Sequence, residues 1–421
     1  MVEGQSKRNA IVVGGGVIGL ACAHYLSQAG IGVRVLDRGK IGGECSHANC
    51  GYVCPSHVLP LTVPSAVPMA TRSFFKPRSP FKIQPRLNAR YWKWMFQFAI
   101  RCRKDVALSA GHHLKAILDS SIDEYRQLVR NENLRCQWRE SGLLHVFETK
   151  KAFEACRREN DMVVAEFEHG AREVSSDELV EIAPALKRNL AGGFLHEGDA
   201  ILRPDLLNRQ WRERLESSGV QFIEQCELLN VSRCGEGDVE HLETSTGNMS
   251  ADTYVFAMGA WSEKLGDMTG FKLPIQPGKG YSITLEKKEF YPTMPMLFPE
   301  KKIGISPFED GFRIGSMMEF VGFDHSIPEY RIEQLKRSVR PFFDVESNAI
   351  ELERWSGFRP MTYDTLPAIG NLPSSKNGFV ATGHSMLGIS MAPATGRLIA
   401  ELVQGNKTHL NVTPYDPVRF Q

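Results

Sequence analysis

Gly14-Gly15-Gly16-Val17-Ile18-Gly19 is the stretch of this chain whose residue types and spacing most directly imply chemistry. The apolar run Ala10-Ile11-Val12-Val13 precedes it, and Leu20, Ala23 and Leu26 follow as a stripe at helical spacing. In such a strand–turn–helix, Gly14 permits the tight turn and Gly16, without a Cβ, lets a pyrophosphate approach the backbone. Gly19 lets the helix pack closely on the sheet. Free N–H groups at the helix start then face the phosphates. Gly30 ends the helix, Val33-Arg34-Val35-Leu36 forms the return strand, and Asp37 stands where a carboxylate holds a ribose hydroxyl. The pattern predicts a dinucleotide site drawing on Gly14, Gly16, Val17, Ile18, Gly19, Asp37 and Arg38.

Two further segments distinguish FAD from NAD. Gly42-Gly43-Glu44-Cys45-Ser46-His47-Ala48-Asn49-Cys50-Gly51 is a small, hydroxyl- and amide-rich loop. Ser46, Asn49 and Gly51 can serve a second phosphate or sugar there, with the loop passing beneath a flavin; a nicotinamide enzyme needs no such loop. Gly383-His384-Ser385-Met386-Leu387-Gly388 opens a helix whose first amides can stabilise negative charge at the N1/O2 edge of a reduced flavin. Ala257-Met258-Gly259-Ala260-Trp261-Ser262 resembles the Ala-Thr-Gly stretch of FAD enzymes, with methionine replacing threonine.

The elements that must position these residues fall into alternating blocks. Segments 7–60, 186–272 and 351–406 read as a Rossmann-like FAD-binding domain assembled from discontinuous pieces. They contain a helix opening at Arg203-Pro204-Asp205, the strands Val220–Ile223 and Tyr254–Ala257, the strand Asn377–Gly383 and a helix from about Leu387 to Gln404. Segments 61–185 and 273–350 read as a substrate-binding domain with helices and a mixed or antiparallel sheet; 407–421 is a tail. The expected class is α/β with α+β inserts, the ligand lying in the cleft between domains.

Bulk properties set bounds. The 421 residues are 42% apolar, and 50 basic against 49 acidic residues leave a net charge of +1, so no field for nucleic acid is expected. Nine scattered cysteines suggest a reduced intracellular protein. Cys45, Cys50 and Cys54 lack a Cys-x-x-Cys pair and read as small buried residues, not metal ligands. His112 and His113 are adjacent, diverge on a helix, and make a poor metal pair. Met1 to Arg8 is short and polar without signal-peptide character, and no apolar run would span a bilayer, so a cytoplasmic protein is expected. Tyr91-Trp92-Lys93-Trp94-Met95-Phe96-Gln97-Phe98-Ala99-Ile100 suits either of two roles. Trp92, Met95, Phe96 and Ala99 form a core-facing stripe, the favoured reading. Alternatively the helix lies on the inner membrane, helped by Arg101, Arg103, Lys104 and the preceding loop with Lys76, Pro77, Arg78, Pro80, Lys82, Pro85 and Arg86.

Several motifs in order resemble the FAD-dependent D-amino-acid dehydrogenase and glycine oxidase branch of the amine-oxidising flavoproteins. They are Lys279-Gly280-Tyr281-Ser282, Val321-Gly322-Phe323, Trp355-Ser356-Gly357-Phe358-Arg359-Pro360-Met361-Thr362, Asp364, Leu366-Pro367-Ala368-Ile369-Gly370, and Thr382-Gly383-His384 through Thr395-Gly396. The likeness spans Ala10 to about Gln404. Cys50, where relatives more often have alanine, and Asp37, where many have glutamate, depart from the pattern. No cysteine accompanies Gly383–Met386, so the resemblance implies non-covalent FAD.

That resemblance assigns Arg359 to the substrate carboxylate, which a guanidinium grips bidentately, with a structural ion pair as the alternative. Tyr281 would add a hydroxyl or close over the substrate, or simply pack as a strand tyrosine. His384 and His47 would flank the flavin, tuning it or contacting the amine, unless both are structural; Tyr52 would line the pocket. The implied reaction is dehydrogenation of a D-amino acid, hydride passing from Cα to flavin N5 to give an imino acid. Pro55-Ser56-His57 through Pro60-Leu61 and Ser79 through Leu87 look like dehydrogenases of hydroxyproline catabolism, favouring cis-4-hydroxy-D-proline or D-proline. The implied partners are the amino acid and an electron acceptor such as a quinone or electron-transfer chain. The alternatives are a glycine or sarcosine oxidase using O2, and a non-catalytic FAD-binding electron-transfer subunit.

Overall fold

Apolar runs such as Ala10–Val13 and Tyr254–Phe256 are nearly continuous because a parallel sheet covered by helices hides both faces of its strands. The computed structural model describes residues 8–74, 79–235, 237–346 and 348–421, and every element named below lies among them. The polar leader before Arg8, and Lys76, Pro77 and Arg78 of the basic loop, lie outside the described residues.

The first sheet runs, in spatial order, Ala368–Asn371, Gly378–Thr382, Thr253–Phe256, Asn9–Val13, Gly32–Leu36 and Gln221–Ile223. All neighbours are parallel except the first pair. Helices Val17–Gln28 and Gly388–Gln404 pack against each other over it. Gly396 is required at their crossing, since a Cβ there would sit 2.5 Å from the Ala21 carbonyl. Lys104–Asn131 packs on the second of these helices, and the shared core runs from Leu20 through Trp211 to Leu398.

The second sheet runs Glu351–Met361, Gln276–Leu285, Phe312–Phe320, Ile303–Pro307, Met296–Phe298, Leu143–Phe147, Gly192–His196 and Arg172–Val174, with Phe81–Ile83 pairing beside Phe312–Phe320. It is mixed and mostly antiparallel, with its own core around Ile283, Ile314 and Phe343. Glu351–Met361 and Gly192–His196 fell in segments grouped with the FAD-binding part from sequence, yet both hydrogen-bond within this second sheet. The reason is physical: antiparallel pairing between partners far apart in sequence leaves no local signature.

The 407–421 tail closes in short turns tied down by Tyr415, whose hydroxyl donates to the His113 carbonyl at 2.6 Å, and by Arg419 on Asp364 at 2.8 Å.

The aromatic helix spans Ala89–Arg101, and its expected stripe is reversed. Tyr91 and Trp94 are buried, Trp94 stacking on Phe98 and donating from Nε1 to the Pro274 carbonyl. Trp92, Phe96 and Ile100 are exposed. Both stripes have helical spacing; the cap at Asn88, which accepts from the Tyr91 amide, and the indole bond to Pro274 accompany the inward turn of the 91/94/98 face.

Candidate active site

The turn after Asn9–Val13 is built by close approach. A Cβ on Gly14, whose φ is +107°, would lie 2.3 Å from the Ala257 carbonyl oxygen. One on Gly19 would lie 1.8 Å from the Gly14 oxygen, so Gly19 serves packing and stands off the cavity wall. Asp37 accepts from the Gly15 and Gly39 amides, each at 2.7 Å, and burial raises its pKa against those bonds. Ser46 Oγ accepts from the Val17 amide at 3.0 Å. Arg38 pairs with Glu44 at 2.9 Å and lies 3.7 Å over the Trp261 ring.

An elongated cavity, about 1440 Å³ including its mouth, extends from this turn to the second sheet. Gly14, Gly16, Val17, Ile18, Asp37, Arg38, Ser46, Asn49 and Gly259 line it, together with His384, Ser385, Met386 and Gly388, and Tyr281 and Arg359 at the far end. The 42–51 loop is pinned from the sheet side. Ser282 Oγ donates to the Ala48 carbonyl, Arg313 Nη1 to that of Asn49, and Ser306 Oγ to that of Cys50.

Other expected residues do not line the cavity. Gly51 (φ +71°) packs on Leu202, where a Cβ would be 1.9 Å from the carbonyl oxygen. Gly383 packs on Thr362, and Leu387 against the first sheet's core. His47 turns away to Glu353 at 2.6 Å, whose carboxylate raises its pKa. Tyr52 sends its hydroxyl to the Ile305 carbonyl at 2.7 Å. His47 was expected to flank the flavin and Tyr52 to line the pocket; polar partners on the second sheet, the Glu353 carboxylate and the Ile305 carbonyl, hold the two side chains instead.

At the sheet end, Arg359 extends across Gly280, where a Cβ would come within 2.3 Å of Nη1. Among the described residues, the one hydrogen bond of its guanidinium is from Nη1 to the Met317 carbonyl at 2.9 Å. Desolvation lowers its pKa, and the titratable groups acting on it are the thiols of Cys45 and Cys50; no carboxylate among the described residues pairs with it. Burial pushes Cys45 up to about 11 and Cys50 upward, so both thiols are neutral. Tyr281 borders the cavity, but its ring packs in the core of the second sheet and its hydroxyl donates to Glu319, a buried carboxylate also paired with the fully buried Arg331, so the expected hydroxyl contact with substrate is not made.

His384 is 1% exposed, and burial drives its pKa down to about 3. Its Nδ1 and the neighbouring Ser385 Oγ are buried without a partner, and both residues face the cavity. Ser385 also has φ +52°, a left-handed conformation costly for a non-glycine residue. Of the two helices that start at the cavity wall, the first has its Val17 amide held by Ser46 Oγ, and the second carries no side-chain cap. Orphaned polar atoms, a helix start without a side-chain cap and a glycine turn at one end, with a lone guanidinium at the other, fit FAD plus a small carboxylate.

Sequence reasoning missed Cys226, Glu227, Leu228 and Lys264, which line the nucleotide end, and Ser316 at the sheet end. Cys226–Leu228 sits at a hairpin start with no motif. The register of Tyr281 opposite Ser316 would have found the latter, but pairing is not visible from one strand.

Comparison with known proteins agrees with this geometry. The chain matches the DAO family, described as FAD dependent oxidoreductase, over residues 9–402. D-amino acid dehydrogenase of Vibrio vulnificus (strain CMCP6) is 32% identical over 407 residues, 95% of this chain and 96% of the relative. That of Agrobacterium fabrum is 31% identical, covering 96% and 97%. Among solved structures, glycine oxidase from Geobacillus kaustophilus superposes with a TM-score of 0.77 at 22% identity, covering 99% of both chains. L-proline dehydrogenase from P. horikoshii gives 0.75 at 18%, covering 99% and 98%. A polypeptide with this cradle, this cavity and these relatives belongs to the DAO family of FAD-dependent oxidoreductases, in its D-amino acid dehydrogenase and amine oxidase group.

Proposed function

We propose that the protein dehydrogenates a D-amino acid at its Cα–N bond, giving an imino acid. The observation that carries this is Arg359, an enclosed guanidinium without a carboxylate, facing the cavity at the end opposite the nucleotide cradle. Burying a charge without a counter-ion is costly, and a substrate carboxylate would offset that cost through paired N–H···O bonds. Gly280 leaves room for the guanidinium, and the Met317 carbonyl orients it.

The remaining walls exclude water and add no second charge. Trp355 and Phe358 line this end, and Cys45 and Cys50 supply neutral thiols. The Tyr281 hydroxyl is committed to Glu319 and its ring to the core of the second sheet, so the residue borders the site without contributing a polar group. With no carboxylate at this end to hold an ammonium, the amine reacts in its neutral form, and no strong acid or base of the protein is needed. Bound in the cradle, FAD supplies the acceptor for the hydride that leaves Cα. Gly14, Gly16, Val17, Ile18, Asp37, Arg38, Ser46 and Asn49 would hold its nucleotide and phosphates, and Gly259, His384, Ser385, Met386 and Gly388 its ring side. A primary imine would then hydrolyse to a 2-oxo acid and ammonia, whereas a cyclic one would persist.

The narrower reading is cis-4-hydroxy-D-proline or D-proline as substrate and a pyrroline carboxylate as product, supported by the segments 55–61 and 79–87. Electrons would pass to a quinone or an electron-transfer chain instead of O2. Peripheral contact with the inner membrane is supported by exposed Trp92, Phe96 and Ile100 on the Ala89–Arg101 helix. No helix among the described residues is long and apolar enough to cross a membrane.

The test is anaerobic mixing of the holoenzyme with D- and L-amino acids, including the hydroxyproline isomers, while following the yellow absorbance. Bleaching by D-isomers, fastest with cis-4-hydroxy-D-proline, is expected; bleaching by glycine or sarcosine alone, with fast reoxidation in air, would favour the oxidase instead.

A further inference from the structure

We propose that Trp355 is a specificity-determining residue whose indole forms the wall against which the substrate's α-substituent packs, beside the carboxylate anchor. The inference rests on the amino-acid reading of the Arg359 end and adds which part of the substrate its neighbour reads.

The geometry comes from two opposed glycines. Gly280 and Gly357 are directly paired across the antiparallel strands Gln276–Leu285 and Glu351–Met361. Cβ atoms at such a pair point to one face of the sheet, about 5 Å apart. One on Gly280 would come within 2.3 Å of Arg359 Nη1, and one on Gly357 within 2.2 Å of Trp355 Cζ2 and 2.4 Å of Cη2. Trp355, Gly357 and Arg359 share that face, because side chains alternate along a strand. The guanidinium and the indole tip are therefore neighbours on a floor of bare backbone. Both residues line the cavity and both are partly buried.

Trp355 also stands apart among the chain's six tryptophans. Trp92 and Trp94 donate to carbonyls, Trp138 stacks on Tyr125, Trp211 meets the His24 ring, and Trp261 stacks on Phe323 beneath Arg38. Among the described residues, no hydrogen bond, ring or cation engages Trp355. A large apolar ring open to a cavity gains by being covered. Its neighbour on the floor is the group that takes the carboxylate, and the α-substituent of an amino acid stands one carbon away from that carboxylate. Cys45 and Cys50, both neutral, border the same end, so an apolar chain or ring suits it and a charged side chain would find no counter-ion.

The test titrates FAD-loaded enzyme with two unreactive acids, followed through the flavin absorbance: acetate, and cyclopentanecarboxylate, which adds a ring to the same carboxylate. Trp355→Leu should raise the dissociation constant of cyclopentanecarboxylate about tenfold and that of acetate less than about twofold. Trp355→Phe, a shorter ring, should fall between, and it carries the test if the leucine variant does not fold. Equal loss of both acids would make the indole a brace for the guanidinium. Loss of FAD from folded Trp355→Phe would assign the indole to the flavin, and unchanged or tighter binding of the ring acid would remove the contact; each of these overturns the proposal. Arg359→Met checks the underlying reading separately. It should lose both acids; if it keeps them, the carboxylate assignment fails, while the contrast between the two acids still reports on Trp355.

Discussion

The two ends of the cavity are made by opposite means. The nucleotide end is backbone: a glycine turn at van der Waals limits, the helix start it leads into, and an aspartate that braces the turn through two amides. The sheet end is charge: a lone guanidinium in front, and around it two engaged carboxylates, buried Glu319 held by Tyr281 and Arg331 and half-buried Glu353 by His47 and Arg313. Where backbone does the binding, local sequence must encode it. Where side chains from distant strands do it, the pattern disperses along the chain.

The contrast is broken most severely at its two anchors. Arg359→Met should lower kcat/KM by about 100-fold or more, because the substrate carboxylate would enter an enclosed site without its cation. FAD content, read from the visible spectrum, should stay unchanged. Gly14→Ala should do the reverse. Its Cβ meets the Ala257 carbonyl at 2.3 Å in a left-handed backbone, a cost of about 1–3 kcal/mol that falls on the cradle. Loss of bound FAD and a lower melting temperature are expected. A variant at either anchor that damaged both ends equally would show that they are not separable.

A smaller effect comes from pH. Burial drives His196 down to about 4, so the folded protein keeps it neutral while the unfolded chain protonates it below about 6.5. Through that window the unfolded state binds more protons, stability rises with pH, and it is lost on acidification. Asp199, raised to about 6 by burial, acts in the opposite sense: its contribution is present at low pH and lost as pH rises through about 6. His196→Gln should therefore reduce the fall in melting temperature between about pH 7 and about pH 5, measured by calorimetry. A steeper fall in the variant would refute the assignment.

The smallest expected change in the isolated protein is at the outer face of the Ala89–Arg101 helix. Trp92→Ser with Phe96→Ser removes exposed rings and should leave activity with a soluble dye acceptor within about twofold. Sedimentation with anionic vesicles should drop sharply. Unchanged sedimentation would remove this face from any membrane contact.

Legibility followed the same division. The first strand–turn–helix, the return strand to Leu36, the helix from Pro204 and the strand Gly378–Thr382 were all readable, since propensity, glycine placement and apolar periodicity agree there. The membership of Glu351–Met361 in the second sheet was not, because only its register with Gln276–Leu285 reveals it. The aromatic helix was readable as a helix but not in its rotation: with large apolar residues at so many positions, tertiary partners choose the buried face. His47 and Tyr52 were misdirected by sequence proximity to a loop whose side chains alternate between cavity and sheet. Arg313 went unnoticed, since its role exists only through the groups it holds.

The strand that carries Arg359 does not end at the sheet. Two residues on, Met361 bridges to His384 through the backbone, and the Pro360 carbonyl accepts from the Ser385 amide at 3.0 Å. The anchor for the carboxylate and the ring-side loop are thus splints on a single rod, with no hinge between them. A hinged clamshell opening at this seam would tear main-chain bonds, so the spacing between Arg359 and the His384–Gly388 turn is set by backbone and stays constant.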